Sequence, residues 1–139
     1  MSAGLSGAVP PPYALAIVIC DAIWRDPGTG KRLIIGCFSV LNAHEFPATQ
    51  PMMAVYVSLT NGRGQVPLRI QLVDADEERE PIFSAEMDTE FTDPRMIAEV
   101  DCIMMGVTFP QPGEYRMQVF ASGQFVIERR IVVQQIPKP

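Results

Sequence analysis

Apolar and polar residues alternate along most of this chain, and that period of two constrains the fold more than any other feature. In "MAVYVSLT", Val55, Val57 and Leu59 alternate with Tyr56 and Ser58. In "QVPLRIQLVDA", Leu68, Ile70 and Leu72 alternate with Arg69 and Gln71. "PIFSAEMDTEF" sets Phe83, Ala85, Met87 and Phe91 against Glu86, Asp88 and Glu90. "MIAEVDCIMMGVTF" sets Ala98, Val100, Cys102 and Met104 against Glu99 and Asp101. That last segment also reads as a short helix entering a strand, but the alternation continues through "DCIMMGVTF" and favours a strand. Near the C-terminus Tyr115, Met117 and Val119 alternate with Arg116 and Gln118. Phe125, Ile127 and Ile131 are expected opposite them, with Glu128 and Arg130 on the wet side. Each pattern describes a strand with one buried and one solvated face. No long amphipathic helix and no solenoid repeat interrupts the series. The expectation is an all-β fold, a single antiparallel β-sandwich of about seven to eight strands.

Turn chemistry divides the strands. "DPGTGKR", Asp26–Arg32, contains Gly30-Lys31, the ending of a phosphate-binding loop. Such a loop needs a glycine five residues before its second glycine and a hydroxyl after the lysine, between a strand and a helix. Arg25 and Arg32 occupy those two positions, and the strand-like "LIIGCFSVL" follows. The stretch is instead a turn, with Pro27, Gly28 and Gly30 supplying the required backbone angles. It joins Tyr13–Trp24 to Lys31–Leu41 in a first hairpin. "NGRG" reads as the turn of a second hairpin, with Pro67 at a strand start or edge, and Ser122-Gly123 closes the last one. The continuous apolar run of the first strand implies burial on both faces. Residues 1–12, "MSAGLSGAVPPP", read as a flexible tail, and residues 13–136 as the β-sandwich domain.

Composition sets limits on function. The 139 residues suit one domain with its own core. A net charge of −5 disfavours nucleic acid as a partner. The apolar run "YALAIVIC" is too short to cross a membrane and has no basic residue before it, so neither a membrane nor a secretion signal is expected. A cytoplasmic location follows as the expectation. Cys20, Cys37 and Cys102 all sit in apolar runs and read as buried small hydrophobes in a reducing compartment. No Cys-x-x-Cys or Cys/His pairing suggests a metal, and no cofactor is expected. The eight methionines read as core filler, a Met-rich binding surface being the alternative.

Two resemblances add to this. "PGEYRMQVF" resembles the closing hairpin of immunoglobulin-like sandwiches, where a Tyr enters the penultimate strand at a corner. The stretches "CDAIWRDPGTGKR", "GCFSV", "EFPATQPMMAVYVSLTNGRG", "VDADEEREPIF" and "FPQPGEYR", spread from Cys20 to Val133, resemble a family of small bacterial all-β proteins of unknown function. The resemblance implies a bacterial source and an immunoglobulin-like β-sandwich. It transfers no catalytic residue, cofactor or ligand.

Chemistry is sparse. His44 is the only histidine. A hydrolase would pair it with Cys37 or Ser39, neither of which lies in a nucleophile turn. An EF-hand counted from Asp74 fails, because Arg79 and Ala85 replace its Gly and Glu. A glycosidase would need two carboxylates across a sugar-lined cleft, whereas the run "DADEERE" reads as a solvated loop. Between Asp74 and Asp101 eleven acids meet two bases, a formal −9, while the rest of the chain is +4. Alternation places Glu86, Asp88 and Glu90 on one face, and Glu99 and Asp101 join them if the next strand pairs alongside. Like charges side by side cost stability, so the cluster is either an edge guarded against aggregation or a docking face for a basic partner. The candidate interaction face is therefore Asp74, Asp76, Glu77, Glu78, Glu80, Glu86, Asp88, Glu90, Glu99 and Asp101. The functional expectation is a non-enzymatic interaction or structural accessory module, acting through that face or a sheet edge. Its partner would be another protein or a second copy. The alternative is a ligand- or divalent-cation-binding sandwich.

Overall fold

A computed structural model describes residues 10–76 and 79–139. The described residues form nine strands and no helix: β1 Tyr13–Arg25, β2 Arg32–Cys37, β3 Val40–Ala43, β4 Ala48–Thr60, β5 Gly64–Asp74, β6 Phe83–Phe91, β7 Ile97–Phe109, β8 Gly113–Ala121 and β9 Gln124–Gln135. No helix among them is long and apolar enough to cross a membrane. One sheet has the order β2-β1-β4-β7, the other β3-β9-β8-β5-β6. Each buries one face in a common core. Ile17, Ile19, Met53, Val55, Val57, Leu59, Cys102 and Met104 come from the first sheet. Leu68, Ile70, Leu72, Tyr115, Met117, Val119 and Ile131 come from the second. Full burial of each Ile or Leu side chain contributes about 1.5–3 kcal/mol, and Ile70 and Leu72 are wholly inaccessible.

The all-β expectation holds, with nine strands rather than seven to eight. The extra strand arises because Lys31–Leu41 is not one strand. Gly36 takes a left-handed φ of 71°, and the chain leaves the ladder at Phe38 and Ser39. Val40–Ala43 then crosses to the other sheet and pairs parallel to β9. "NGRG" is not a hairpin turn. Asn61 and Gly64 adopt positive φ, and the chain turns a corner from β4 in one sheet to β5 in the other. Their apolar faces meet across the core instead of lying side by side.

Other turns form as the residues dictate. At Asp26–Lys31 the Asp26 carboxylate accepts from the Gly28 amide at 2.8 Å. The Asp26 amide donates to the Lys31 carbonyl at 2.8 Å. Ser122-Gly123 closes β8 onto β9 with both residues at positive φ. Beside it, the register shifts between Val119 and Phe120. The shift moves Phe125 from its expected core position to the outer face, half exposed, with its ring edge-on to Phe120 at 5.9 Å. Pro67 lies within β5, one residue beyond its pairing with β8. Its carbonyl accepts from the Ser122 amide, so the missing N–H faces the β8–β9 turn and breaks no ladder bond. Tyr115 is buried with its hydroxyl donating to the Gln111 carbonyl at 2.6 Å. Its ring meets Phe109 edge-on at 5.0 Å.

The β1–β2 hairpin arm folds back over the first sheet. Only Tyr13–Cys20 of β1 pair with β4. Asp101 lies two strands across from β1, beside Tyr56, yet Arg25 and Arg32 at the far end of the arm both reach it. A straight hairpin would carry them roughly 20 Å past that point at 3.3 Å per residue. The arm therefore bends across the outer face, and the expected burial of β1 on both faces is confined to the stretch around Ile17–Cys20, with Tyr13, Leu15 and Trp24 exposed. Cys20 and Ala54 face away from the core and are still fully buried. Cys37, by contrast, is exposed and not the buried hydrophobe expected. The methionine doublets divide by strand alternation: Met53 and Met104 are buried, while Met52 and Met105, cross-strand partners, are exposed.

Candidate functional site

β6 is an edge strand, paired only with β5. Its core side carries Phe83, Ala85, Met87 and Phe91, which leaves Glu86, Asp88 and Glu90 exposed on the outer side. Successive members of such a row stand about 6.7 Å apart. Across the ladder they face Arg69, Pro67 and Gln65 respectively. None of the three makes an ion pair or hydrogen bond among the described residues. A row of like charges at this spacing repels itself weakly in water and more strongly once a partner excludes solvent.

Glu99 and Asp101 do not join this row. Their strand, β7, pairs with β4 in the first sheet, and their side chains lie on that sheet's outer face. There the hairpin arm neutralises them. Asp101 receives Arg32 Nε at 2.6 Å and Arg25 Nε at 3.2 Å. Glu99 receives Arg32 at 3.1 Å and the Tyr56 hydroxyl. Arg32 also lies 6.0 Å from the Tyr56 ring centroid. Burial first, then the Glu99 carboxylate, push the Tyr56 phenol above its ordinary range.

The acidic loop forms a third group. Asp74 lies 3.5 Å from Arg79, and Asp76 and Glu80 are exposed. Glu77 and Glu78 lie outside the described residues, as do residues 1–9 of the expected tail. Among the described residues no three His, Cys, Asp or Glu side chains are placed to hold a metal ion. The candidate face thus resolves into a free row on β6, a neutralised pair on β7 and a loop.

Beside the free row the second sheet spends its charges internally. Gln71 donates to Gln118 at 2.9 Å, and Gln118 donates to Glu128 at 3.1 Å. Those bonds satisfy Gln118, which is buried. Glu114 holds Arg116 at 3.1 Å and Arg130 at 3.5 Å. Arg69 is different. Its guanidinium stacks over Phe120 at 4.4 Å, and its Nε is buried with no hydrogen-bond partner. Arg69, Phe120, Glu86, Pro67, Leu68 and the Ser122-Gly123 turn line a shallow cavity of about 230 Å³. Sequence reasoning placed Arg69 on the wet face but missed this cavity, because the register shift at Phe120 that shapes it has no signature in the residue pattern.

His44 lies in the connection between β3 and β4. Its ring Nδ1 lies 3.4 Å from the Ile136 carbonyl, and no hydrogen bond joins it to Cys37 or Ser39. No curated protein matches this chain. A family model described as a family of unknown function, DUF6941, matches residues 15–134, a span that takes in most of β1 and nearly all of β9. The chain therefore belongs to that family of unknown function.

Proposed function

We propose that this protein is a non-enzymatic interaction module that docks a basic segment of a partner protein along β6. The observation that carries this reading is the row Glu86, Asp88 and Glu90. These acids are exposed on a sheet edge and unpaired among the described residues, whereas Glu99, Asp101, Glu114 and Glu128 are each held by arginines. A partner strand added antiparallel to β6 would gain backbone hydrogen bonds from the free edge. Its Lys or Arg at every second position would meet the acids on the outer face. Charge that only guards the edge is the competing explanation.

We also read the two sheets as an immunoglobulin-like sandwich. The Tyr115 hydroxyl bond to Gln111 at the entry to β8 supports this, as does β3 running parallel beside the final strand. The corner at Asn61–Gly64, which sends β4 and β5 to opposite sheets, supports it too.

The test is capture of partners from the native host's lysate, followed by binding of the recovered partner's basic segment to purified protein. Wild type is compared with a Glu86→Gln, Asp88→Asn, Glu90→Gln variant. Binding that weakens at least tenfold in the variant, and weakens likewise as salt shrinks the Debye length from about 10 Å to 3 Å, supports docking on β6. Equal binding by both proteins returns the row to edge protection. A rise in Tm on adding calcium would instead favour the cation-binding reading that the loop at Asp74 motivates.

A further inference from the structure

Sixteen residues separate Cys20 from Cys37 in sequence, but the β1–β2 register makes them direct cross-strand neighbours. Directly opposed residues of an antiparallel pair project from the same face. The Phe38 amide donates to the Ile19 carbonyl at 3.0 Å. The next pair along, Cys20 and Cys37, therefore takes the non-hydrogen-bonded position, where Cα atoms approach to about 4.5 Å. A disulfide accepts Cα separations of roughly 4.4–6.8 Å. Both thiols are free, Cys20 buried and Cys37 exposed. Cys20 donates to the Ala54 carbonyl at 3.6 Å. Burial, and next the adjacent Cys37, push its thiol up, so it holds its proton at neutral pH. Cys102 cannot substitute for either one. It points into the core from β7, and the backbone of the first sheet lies between it and the other two.

We propose that Cys20 and Cys37 are a peroxide-reactive dithiol that closes into a cross-strand disulfide at the base of the hairpin arm. Cys37, the accessible member, loses its proton and attacks one oxygen of hydrogen peroxide. The O–O bond breaks, an S–O bond forms, and the departing hydroxide takes up that proton as water. Cys20 then gives up its proton and attacks the Cys37 sulfenic sulfur. The S–S bond forms, the S–O bond breaks, and the second hydroxide leaves as water with that proton. Two thiols and one peroxide become one disulfide and two waters, with sulfur oxidised and peroxide oxygen reduced. The arm's tip is already held by Arg25 and Arg32 on Asp101, so a covalent link at its base fixes both ends.

The experiment treats the reduced full chain with hydrogen peroxide, alkylates remaining thiols, and digests it with trypsin without reductant. Cleavage after Arg25, Arg32, Arg63, Arg95 and Arg116 leaves the three cysteines on separate peptides. The expected result is a Cys20 peptide joined to a Cys37 peptide. The intact mass falls by two hydrogens, only Cys102 remains alkylatable, and Tm rises until dithiothreitol reverses it. Cys37→Ser, an exposed substitution, should keep both remaining thiols alkylatable after the same treatment. In Cys20→Ser the Cys37 sulfenic acid should persist and be trapped by dimedone. Should Cys20→Ser fail to fold, Cys37→Ser decides alone. Wild-type protein that carries oxygenated Cys37 with Cys20 still alkylatable, or that links Cys37 only between chains, overturns the proposal. So does one that keeps all three thiols.

Discussion

Replacing Arg32 by Met tests whether ion pairs hold the hairpin arm against the first sheet. The Arg32 side chain is 12% exposed and Asp101 is 16% exposed, whereas Glu99 is 42% exposed. Methionine keeps most of the apolar stem, so the loss is mainly of charge and hydrogen bonds. Breaking a fully buried pair costs about 3–5 kcal/mol, and an exposed pair is worth about 0–1 kcal/mol. Arg25 stays 3.2 Å from Asp101, and the Tyr56 hydroxyl stays on Glu99, so neither carboxylate is abandoned. The Glu99 contact is discounted for solvent screening. The expected loss is therefore about 2 kcal/mol. At about 2.1 cal/mol/K per residue, 139 residues give an unfolding entropy near 0.29 kcal/mol/K, so Tm should fall by about 7 °C.

Amide exchange then locates the effect. Asp21–Arg25 and Arg32–Gly36 should exchange faster in the variant at unchanged bulk pH, while β5 and β8 keep their protection. Combined with Asp101→Asn, the two losses should sum to about 1 kcal/mol more than the double variant shows, because both substitutions remove one shared contact. A Tm within 1 °C of wild type, with arm protection intact, would refute the argument that charge rather than apolar packing holds the arm down.

Tyr115→Phe removes the donor to the Gln111 carbonyl and should cost about 1.5 kcal/mol, or about 5 °C in Tm, with the urea m-value unchanged. Gly36→Ala places a Cβ at a φ of 71° and in steric overlap with the Asp21 carboxylate. It should destabilise by about 1–3 kcal/mol, and Asp21→Ala should recover only the steric part. Alkaline pH should weaken the fold as well. Burial pushes Tyr56 and Tyr115 above their ordinary value of 10.0, so the unfolded chain loses protons first. Their contribution is constant below about pH 10 and is lost as pH rises through the folded values. Urea midpoints from pH 8 to 11 should show that decline, and Tyr115→Phe should make it shallower.

Strand positions and the inward or outward sense of most side chains were legible because the period of two acts residue by residue. Glu86, Asp88 and Glu90 face solvent for the same reason that Phe83, Ala85 and Met87 do not. Which strand lies beside which was legible only at the tight hairpins, β1 with β2 and β8 with β9. The apolar faces of β4 and β5 satisfy a hairpin and a pair of opposed sheets equally well, and only the positive φ of Asn61 and Gly64 turns the chain from one to the other. The composition of β7 likewise fitted a strand beside β6. Its partner is β4, and that choice moves Glu99 and Asp101 to the opposite side of the molecule from the β6 row.

The two outer faces show why local pattern and surface chemistry part company. On the second sheet the outer side chains match their alternation except at Phe125, and the face is largely polar because β8, β9 and β5 contribute Glu, Arg and Gln in facing registers. On the first sheet the outer face of β1 and β4 holds Cys20, Ala54 and Ser58, all buried; alternation assigns Ala54 and Ser58 to solvent, whereas the apolar run of β1 already implied burial at Cys20. The β1–β2 hairpin bends toward that face, turning at its tip at Asp26–Lys31 and passing Gly36 at positive φ near its base. The same bend exposes Trp24, Leu33 and Ile35 while bringing Arg25 and Arg32 onto acids that would otherwise have extended the acidic surface. Charge in the sequence is thus a census of what a surface can present. The arm decides what it does present, and among the described residues Glu86, Asp88 and Glu90 form an acidic row without an internal counterpart.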